Sequence, residues 1–444
     1  MKNPMGDETV MFDPTSRSPT QQAAAVVPID TNVAQAHAAD PSTMHNKVLT
    51  GYQGWFTTPC DDGLKRWHHW SDRVVPSNQT ATFDLWPEMD EYDDDEKCES
   101  DFSYQDGRKA SLFSSYHPKT VDRHIRWMRD FGIDGSIVQR FITDTKVFRH
   151  MRDVVLKNLA TSSQRYGRVF ANMYDLTGAT PGQTTVEDIK RDWKHLVDGL
   201  QITKNPQYLH HNGFPVLGVF FGKVAKSPLS AEEASALVDW LQNNPEERYR
   251  VTVLGAGVGK DWRTNPHPEW MPVYNKFDII SPWTVGRYRD DASVDHHSKK
   301  YLTPDVAFSH ENDQEYMPVV FPGFSSREIR RRARSRGHFV DDAPLNEIPR
   351  YGGSFLWRQL YHSVRSGANM VFVAMFDEVD EGTAIMKVAP SDVYAPSNGD
   401  FLTLDVDEGH NNLPSDWYLR LVGEANRLLR GSRTEFPLYI PISP

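Results

Sequence analysis

The sequence predicts an α/β protein, and within that class a (β/α)8 TIM barrel with long inserted loops. Eight short apolar runs alternate with segments of helical periodicity, which favours a parallel sheet with right-handed crossovers. These units extend over about 390 residues, a length that suits one barrel with insertions. The last run ends abruptly in acidic residues, as expected where strand ends converge on an active site. A doubly wound open sheet is the alternative fold.

Each apolar run has the length and composition of a buried strand. The eight runs are residues 48–56, 135–142, 168–176, 214–221, 249–254, 277–283, 317–321 and 370–376. Helix signals lie between them. Pro118 opens one helix, Ser230 and Glu233 are the ends of a capping box, and apolar residues recur at helical spacing over residues 186–200.

Composition narrows the range of partners and the domain plan. The net charge of −11 argues against nucleic acid as a partner, and no apolar run approaches the roughly 20 residues of a membrane helix. Residues 1–45 are polar and lack periodicity, so we expect a disordered leader followed by a single catalytic barrel over residues 46–444. Within this leader, residues 23–29 are too short for a convincing signal peptide.

Polar and aromatic residues stand at the ends of the predicted strands, which share one face of a barrel. They comprise Trp55, Tyr174, Asp175, Lys223 and Trp283, followed after the eighth strand by Asp377, Glu378, Asp380 and Glu381. The long insertion after the first strand adds Trp67, His68 and His69 as further substrate-binding candidates. Aromatic rings stack on sugars and carboxylates bond to their hydroxyls, so this mixture favours a carbohydrate ligand.

The acidic end of the eighth strand is the centre of the predicted chemistry. Four carboxylates within five residues cost solvation and repulsion energy, which a fold tolerates mainly in a wet cleft where the acids are used. Glu378 and Glu381 can divide the work of glycosidic cleavage, one as general acid and the other as base or nucleophile. Their spacing in sequence leaves open whether the two side chains share a cleft.

Three other patterns indicate sites less strongly. Residues 255–260 resemble a nucleotide loop, but Lys260 stands at the third glycine position. His68 and His69 have no carboxylate at a familiar metal spacing, and we expect no metal and no cofactor. Six arginines lie between Arg327 and Arg336, just after the seventh strand, and they leave open an anionic group on the substrate.

At the end of the eighth strand, Phe376-Asp-Glu-Val-Asp-Glu-Gly-Thr383 resembles the F-N-E-W-x-E-G-T segment of glycoside hydrolase family 99, the endo-α-mannosidases. Other segments resemble that family in the same order, over residues 45–390. They are Trp67-His-His-Trp70, Gly132-Ile-Asp-Gly135, Pro322-Gly-Phe-Ser325 and Arg350-Tyr-Gly-Gly-Ser-Phe-Leu-Trp357. Tyr174 and Asp175 are similar to a pair in the related family 71, the α-1,3-glucanases.

The resemblance implies a (β/α)8 barrel, no obligatory metal, and retaining cleavage of an α-glycosidic bond. It also implies that Glu378 acts as a base on the sugar's 2-hydroxyl, giving a 1,2-anhydro sugar. Glu381 would protonate the leaving oxygen and then activate water. The family pattern differs from this chain at four places, with Asn at Asp377, Trp at Val379, commonly His at Asp380 and often an aromatic at Ser326. These positions shape sugar subsites, so the resemblance leaves the sugar open.

We therefore expect a glycoside hydrolase that cleaves an α-glycosidic bond in an oligo- or polysaccharide. A non-catalytic carbohydrate-binding barrel and a metal-dependent barrel hydrolase are the alternatives. The substrate class favours an extracellular or periplasmic location. Cys60 and Cys98, the only cysteines, can pair in such a compartment, but two cysteines do not establish a disulfide.

Overall fold

Parallel strands form a barrel in the computed structural model, which describes residues 38–222, 226–264, 267–406, 412–431 and 435–444. The strands are β1 (Lys47–Tyr52), β2 (Lys97–Ser103), β3 (Lys109–Phe113), β4 (Gly135–Phe141), β5 (Val169–Asp175), β6 (His210–His211), β7 (Phe214–Phe220), β8 (Thr252–Val258), β9 (Ile279–Pro282), β10 (Glu315–Tyr316), β11 (Val319–Val320) and β12 (Met370–Val373). The helices are α1 (Pro118–Asp130), α2 (Asp144–Val147), α3 (Arg149–Tyr166), α4 (Val186–Lys194), α5 (Ala231–Asn243), α6 (Met271–Tyr274), α7 (Asp291–His297), α8 (Thr303–Glu311), α9 (Arg327–Ser335), α10 (Ser354–Arg365) and α11 (Trp417–Arg430).

The main sheet closes on itself through β10 and β11. Its order is β10-β9-β8-β7-β5-β4-β1-β12-β11, and every neighbouring pair in this order is parallel. β10 and β11 are two halves of one strand. Pro318 interrupts it because proline has no N–H to donate, yet the Met317 N–H still reaches Ile280 O at 2.9 Å and Pro318 O accepts from Phe372 N at 2.9 Å. With these halves counted as one, eight strands among the described residues enclose the barrel, as the sequence predicts.

Alternation along each strand separates the barrel interior from the helix layer. On β5, Ala171 and Met173 belong to the interior apolar cluster, while Phe170 and Tyr174 belong to the larger cluster beneath the helices. Asp175 follows Tyr174 and therefore returns to the interior side, at the carboxyl end of the strand. This two-residue period decides which strand-end side chains face the mouth of the barrel.

Glycines in β8 serve packing rather than phosphate binding. β8 extends through Val258, beyond the end predicted at residue 254, and includes Gly255 and Gly257. A Cβ at Gly255 would lie 1.9 Å from Phe277, and one at Gly257 would lie 2.6 Å from Phe220. The glycines therefore make room for two aromatic rings, and the likeness of residues 255–260 to a nucleotide loop is superficial.

The predicted boundary between leader and barrel at residues 45 and 46 falls too late. Ala39 and Met44 are buried, and the Ala39 N–H donates to Gly167 O at 2.8 Å. The ordered body therefore begins by Ala38. The predicted disordered leader otherwise falls on residues 1–37, which lie outside the described part of the chain, so it stays a prediction. Among the described residues, no helix has both the length and the apolar character required to cross a bilayer.

The long insertion between β1 and α1 contains a hairpin that the sequence pattern did not predict. β2 and β3 pair antiparallel, and Cys98 on β2 forms a disulfide with Cys60. The disulfide ties the polar loop that follows β1 to the hairpin. This insertion carries Trp67, His68 and His69, and it stands over the carboxyl end of the barrel.

Candidate active site

The acidic segment that follows β12 is held rigidly at the carboxyl end of the barrel. Buried Arg350 donates to Gly382 O at 2.9 Å and to Ala384 O at 2.7 Å, and the Ser325 N–H donates to Glu381 O at 2.9 Å. Gly382 has a φ of +63°, and a Cβ there would lie 2.9 Å from Ser325. Glycine is therefore required for this turn, which presents the carboxylates on a fixed backbone.

Asp377 is a positioning residue rather than a substrate contact. Its two carboxylate oxygens accept from the Gln53 and Gly54 N–H groups, both at 2.8 Å, and its side chain is fully buried. These bonds join the end of β1 to the acidic segment. Burial raises the pKa of Asp377 to about 7, although the two N–H donors oppose that shift. The predicted direct contact of Asp377 with substrate is therefore wrong, because no part of its side chain is accessible.

Glu378 is buried and held at both oxygens. Oε1 accepts from Gln53 Nε2 at 2.9 Å, and Oε2 accepts from Thr383 Oγ1 at 3.1 Å. Only 6% of the residue is exposed. Burial, followed by the neighbouring charges of Glu381, Asp380 and Asp377, raises the pKa of Glu378 well above its ordinary value. Gln53 and Thr383 thus orient a carboxyl group that the fold keeps from solvent.

Glu381 differs from Glu378 in its surroundings. Glu381 is half-buried, and its carboxyl group makes no hydrogen bond to any residue in the described part of the chain. Burial, followed by the charge of Asp380, raises the pKa of Glu381 to about 7, while Arg330 opposes the shift. Glu381 therefore holds a proton near neutral pH and has no internal partner for it.

Asp380 connects the acidic segment to the insertion. Its Oδ2 lies 3.1 Å from Nδ1 of His69, whose ring stacks on Trp55 with ring centroids 3.8 Å apart. Burial raises the pKa of Asp380 well above its ordinary value, and burial lowers the pKa of His69 to about 3. Both shifts favour the neutral pair, in which protonated Asp380 donates a hydrogen bond to Nδ1 of a neutral His69. The pair fixes the Trp55–His69 platform beside the acids.

Two cavities meet at Glu381. The first has a volume of about 640 Å³ and is lined in part by Trp55, His68, His69, Asp380 and Glu381. The second has a volume of about 830 Å³ and is lined in part by Phe220, Trp283, Phe324 and Glu381. An unpaired carboxyl group thus lies between two spaces, each with aromatic side chains in its wall.

Six of the predicted site residues line these cavities. Trp55, His68, His69, Asp380 and Glu381 line the first, and Trp283 joins Glu381 in the second. His68 Nδ1 donates to Trp55 O at 3.3 Å, and burial lowers the pKa of His68 to about 3. Asp175 stands at the barrel mouth, where burial raises its pKa to about 6 and its charge contributes to the raised pKa of Glu381.

Other predicted contacts lie elsewhere. Tyr174 is buried beneath the helices, and its hydroxyl donates to Asp192 Oδ2 at 2.8 Å, so its prediction as a substrate contact is wrong. Trp67 is 3% exposed, packs in the core and is not among the residues that line the two cavities, so its contact with substrate stays a prediction. Lys223 lies outside the described residues. The alternation along β5 points the Tyr174 ring away from the barrel mouth, and the insertion folds over the Trp67 ring.

Sequence reasoning missed three residues that support the site. Gln53 and Thr383 hold Glu378, and Arg152 on α3 donates to Gln53 O at 2.8 Å while pairing with Asp144. A polar residue directly after the first strand was a usable signal for Gln53. Nothing in the pattern of α3 distinguished Arg152 from a solvated arginine.

One cluster elsewhere has ligand atoms within metal-binding range. Atoms of His45, His211 and Glu315 lie within 4.8 Å of one another at the amino ends of the strands. The Met44 N–H donates to His211 Nδ1 at 3.2 Å, so a neutral His211 carries its proton on Nε2 and donates to Glu315 at 2.6 Å. Its geometry is that of a hydrogen-bonded triad, which ties the residues before β1 to the sheet.

Comparisons with known proteins match this fold but not the sequence. No model of a protein family matches the chain, and no curated protein matches it. The structure of the GH99 endo-alpha-mannosidase from Bacteroides thetaiotaomicron in complex with BIS-TRIS-propane has a TM-score of 0.61 and 14% identity, covering 88% of this chain and 99% of that one. A second structure of that enzyme has a TM-score of 0.60 and 14% identity, covering 87% and 98%. At this identity the likeness shows the fold, a (β/α)8 barrel of the kind found in that mannosidase.

Proposed function

We propose that the protein is a glycoside hydrolase that cleaves an α-glycosidic bond in an oligo- or polysaccharide with retention of configuration. The observation that carries the proposal is the placement of Glu381, a carboxyl group without a hydrogen-bond partner among the described residues, between two cavities with aromatic walls. A glycan that occupies both cavities would place a glycosidic oxygen near this group. The likeness in fold to an endo-α-mannosidase and the resemblance of the acidic segment support the same assignment.

The different environments of the two glutamates support different roles. Glu381 has a pKa of about 7 because of burial, so it holds a proton at neutral pH and suits a general acid. Two donors, Gln53 Nε2 and Thr383 Oγ1, face the oxygens of Glu378 and favour its ionised form. Burial and neighbouring charges raise the pKa of Glu378, but protons on Glu381 and Asp380 remove two of those charges. Burial, the largest influence on the pKa of Glu378, still favours its protonated form, so the role of Glu378 as the base is supported by the two donors and by the resemblance of the acidic segment.

The proposed reaction follows from these two roles. Glu378 accepts the proton of the sugar's 2-hydroxyl as that oxygen attacks C1, while Glu381 gives its proton to the departing glycosidic oxygen. The C1–O2 bond of the resulting 1,2-anhydro sugar is opened by water, which Glu381 deprotonates. O2 regains its proton from Glu378, and two displacements at C1 retain its configuration. Gln53, Thr383 and Asp377 position Glu378 throughout.

Hydrolysis of a panel of α-mannans and α-glucans, compared with matching α-glycosyl fluorides, tests both activity and roles. Fluoride leaves without a proton, so Glu381→Gln should lose about 10²–10⁴-fold on glycans and much less on the fluoride. Glu378→Gln should lose a similar factor on both substrates. Glu246→Gln, a surface change, is the matched control. Glycan binding without cleavage of any substrate by the unaltered protein would instead identify a carbohydrate-binding barrel.

An extracellular or periplasmic setting is part of the proposal. Cys60 and Cys98 form a disulfide, a bond that persists mainly in oxidising compartments. The substrate class points to the same setting. Thiol labelling of the denatured protein, taken directly from the cells that make it, should find no free cysteine. Quantitative labelling of both cysteines would place the protein in a reducing compartment.

A further inference from the structure

We propose that the first cavity binds an anionic substituent of the glycan, a sulfate ester or a carboxylate, through Arg73, Arg332 and Arg336. The inference rests on the proposed function and names the substrate class of the same site. All three arginines line the cavity that Glu381 also lines. A sugar ring on the Trp55–His69 platform would therefore extend toward guanidinium groups on one side of the bond to be cleaved.

Arg73 is available for a ligand. Its side chain is exposed, and it makes no hydrogen bond or ion pair with any residue that the structure describes. It lies directly after Asp72 in the insertion, with a φ of +67°. Guanidinium groups present five N–H donors in a planar fork that matches carboxylate and sulfate oxygens. Arg73 thus offers that fork to the cavity.

Arg332 and Arg336 share a single carboxylate. Both lie on or just after α9, and both pair with Asp72, one with each oxygen. The side chains of Arg332 and Arg336 are 26% and 48% exposed, so part of each guanidinium faces the cavity. Because the single negative charge of Asp72 is shared by two guanidinium groups, this wall of the cavity keeps an excess of positive charge and N–H donors without a partner in these ion pairs.

Arg66 strengthens the positive field at the same end. Its guanidinium lies over the Phe148 ring, 4.9 Å from the centroid, and Phe148 contacts the cavity residue His68. The Nε and Nη2 atoms of Arg66 are buried without a hydrogen-bond partner among the described residues. Burial, followed by the positive charge of Arg73, lowers the pKa of Arg66. An anion between these two cations would relieve their repulsion.

The charge balance distinguishes the two cavities. The first has Arg73, Arg332 and Arg336 against Asp72, since the raised pKa values of Asp380 and Glu381 reduce their negative charge. The second has Lys226, Arg287 and Arg330 against Asp261 and Glu347, with Glu381 shared between the two cavities, so its positive excess is smaller than that of the first. A cationic cavity in a chain with a net charge of −11 is a local reversal of sign. The anionic group is therefore expected on one side of the scissile bond only.

Calorimetric titration of the Glu381→Gln protein, in which turnover is blocked, tests the inference. The probes are a sulfated α-mannan oligosaccharide, the same oligosaccharide after desulfation, and an oligosaccharide that carries glucuronic acid. We expect at least one anionic probe to bind roughly tenfold to hundredfold more tightly than the neutral probe. Which of the two does so distinguishes a sulfate from a carboxylate ligand.

Two further variants in this background locate the effect. Adding Arg73→Gln and Arg336→Gln together should reduce the anionic-to-neutral affinity ratio at least about tenfold. Arg73→Gln alone should reduce this ratio less, and because the Arg73 side chain is exposed and makes no hydrogen bond or ion pair with a described residue, we expect the fold to be kept. Arg334→Gln is the matched control, since Arg334 lies on α9 but pairs with exposed Asp342 and does not line the cavity.

The outcomes separate this inference from the proposed function. An affinity ratio near one in the parent, or a ratio that the double variant leaves unchanged, overturns the anionic subsite. Cleavage of neutral α-glycans by the unaltered protein, together with a ratio near one, refutes the subsite while the hydrolase stands. Tight arginine-dependent binding of an anionic probe that the unaltered protein never cleaves supports the subsite and refutes the hydrolase.

Discussion

Glu315 and Glu381 are the same residue type at opposite ends of the barrel. Glu315, at the amino ends of the strands, accepts hydrogen bonds from His45 and His211, both at 2.6 Å. Burial alone would raise the pKa of Glu315, but the two histidines hold it below its ordinary value. Glu381, at the carboxyl ends, has no such partner, and burial raises its pKa to about 7.

The difference separates stabilising carboxylates from reactive ones. A buried carboxylate with complete hydrogen bonding is an inert part of the fold, whereas one without partners is costly and ready to exchange a proton. Barrel folds place their chemistry at the carboxyl ends of the strands and their structural contacts at the amino ends. The two glutamates follow that division in this chain.

Replacing each glutamate with glutamine should give opposite results. Glu381→Gln removes the proposed acid and should lower kcat on glycans by about 10²–10⁴-fold, with unchanged or greater stability, because a costly buried charge is lost. Glu315→Gln should leave kcat unchanged and lower the free energy of unfolding by about 1–3 kcal/mol. Glycan hydrolysis rates and urea denaturation measure the two effects. An inactive Glu315→Gln protein with normal stability would contradict the comparison.

Asp377→Asn tests the support beneath the reactive end. Asparagine offers one acceptor oxygen to the two N–H groups of Gln53 and Gly54, and its amide would face the second one. We expect a loss of about 1–3 kcal/mol of stability. Because Gln53 also holds Glu378, kcat should fall while KM changes little. A raised KM with an unchanged kcat would instead indicate that Asp377 contacts the substrate, which its burial argues against.

The pH dependence of stability should also differ between the two ends. The folded-state pKa of Glu381 is about 7 against an ordinary 4.5, so its contribution to stability is complete below about pH 4.5 and is lost as the pH rises to about 7. The pKa of Glu315 is lowered, so its contribution is present above its ordinary pKa and is lost as the pH falls through the lowered value. Denaturation from about pH 5 to 8 should show a decline that Glu381→Gln reduces by about 1–2 kcal/mol.

Tyr174→Phe provides the smallest effect. The change removes one buried hydrogen bond, from the hydroxyl to Asp192, and should lower the free energy of unfolding by about 1 kcal/mol. It should leave KM unchanged, because the ring lies beneath the helices. Asp175→Asn, the neighbouring change at the barrel mouth, is the comparison, and it should shift the pH profile of the proposed acid. A raised KM in Tyr174→Phe would place the hydroxyl in the substrate site.

Sequence pattern alone was sufficient for the outline of the fold. Apolar runs alternate with helical segments because parallel strands must be buried on both faces and covered by crossover helices. The acidic end of the last strand was recognisable for a similar reason, since a concentration of charge after a buried strand needs a purpose. The ends of the strands were harder to predict. In β8, two glycines suggest a loop in the sequence, but in the structure they belong to the strand and make room for Phe220 and Phe277.

Tertiary structure decided which side chains meet. Tyr174 and Asp175 are adjacent in sequence, but only the direction of β5 shows that one packs under helices while the other faces the mouth. Gln53 and Glu378 lie 325 positions apart, and only closure of the barrel brings β1 beside β12. The elements and the acidic segment could be predicted from the sequence because they depend on local pattern. Partners, protonation and the sharing of Asp72 by two arginines depend on contacts between distant residues, which local pattern does not contain.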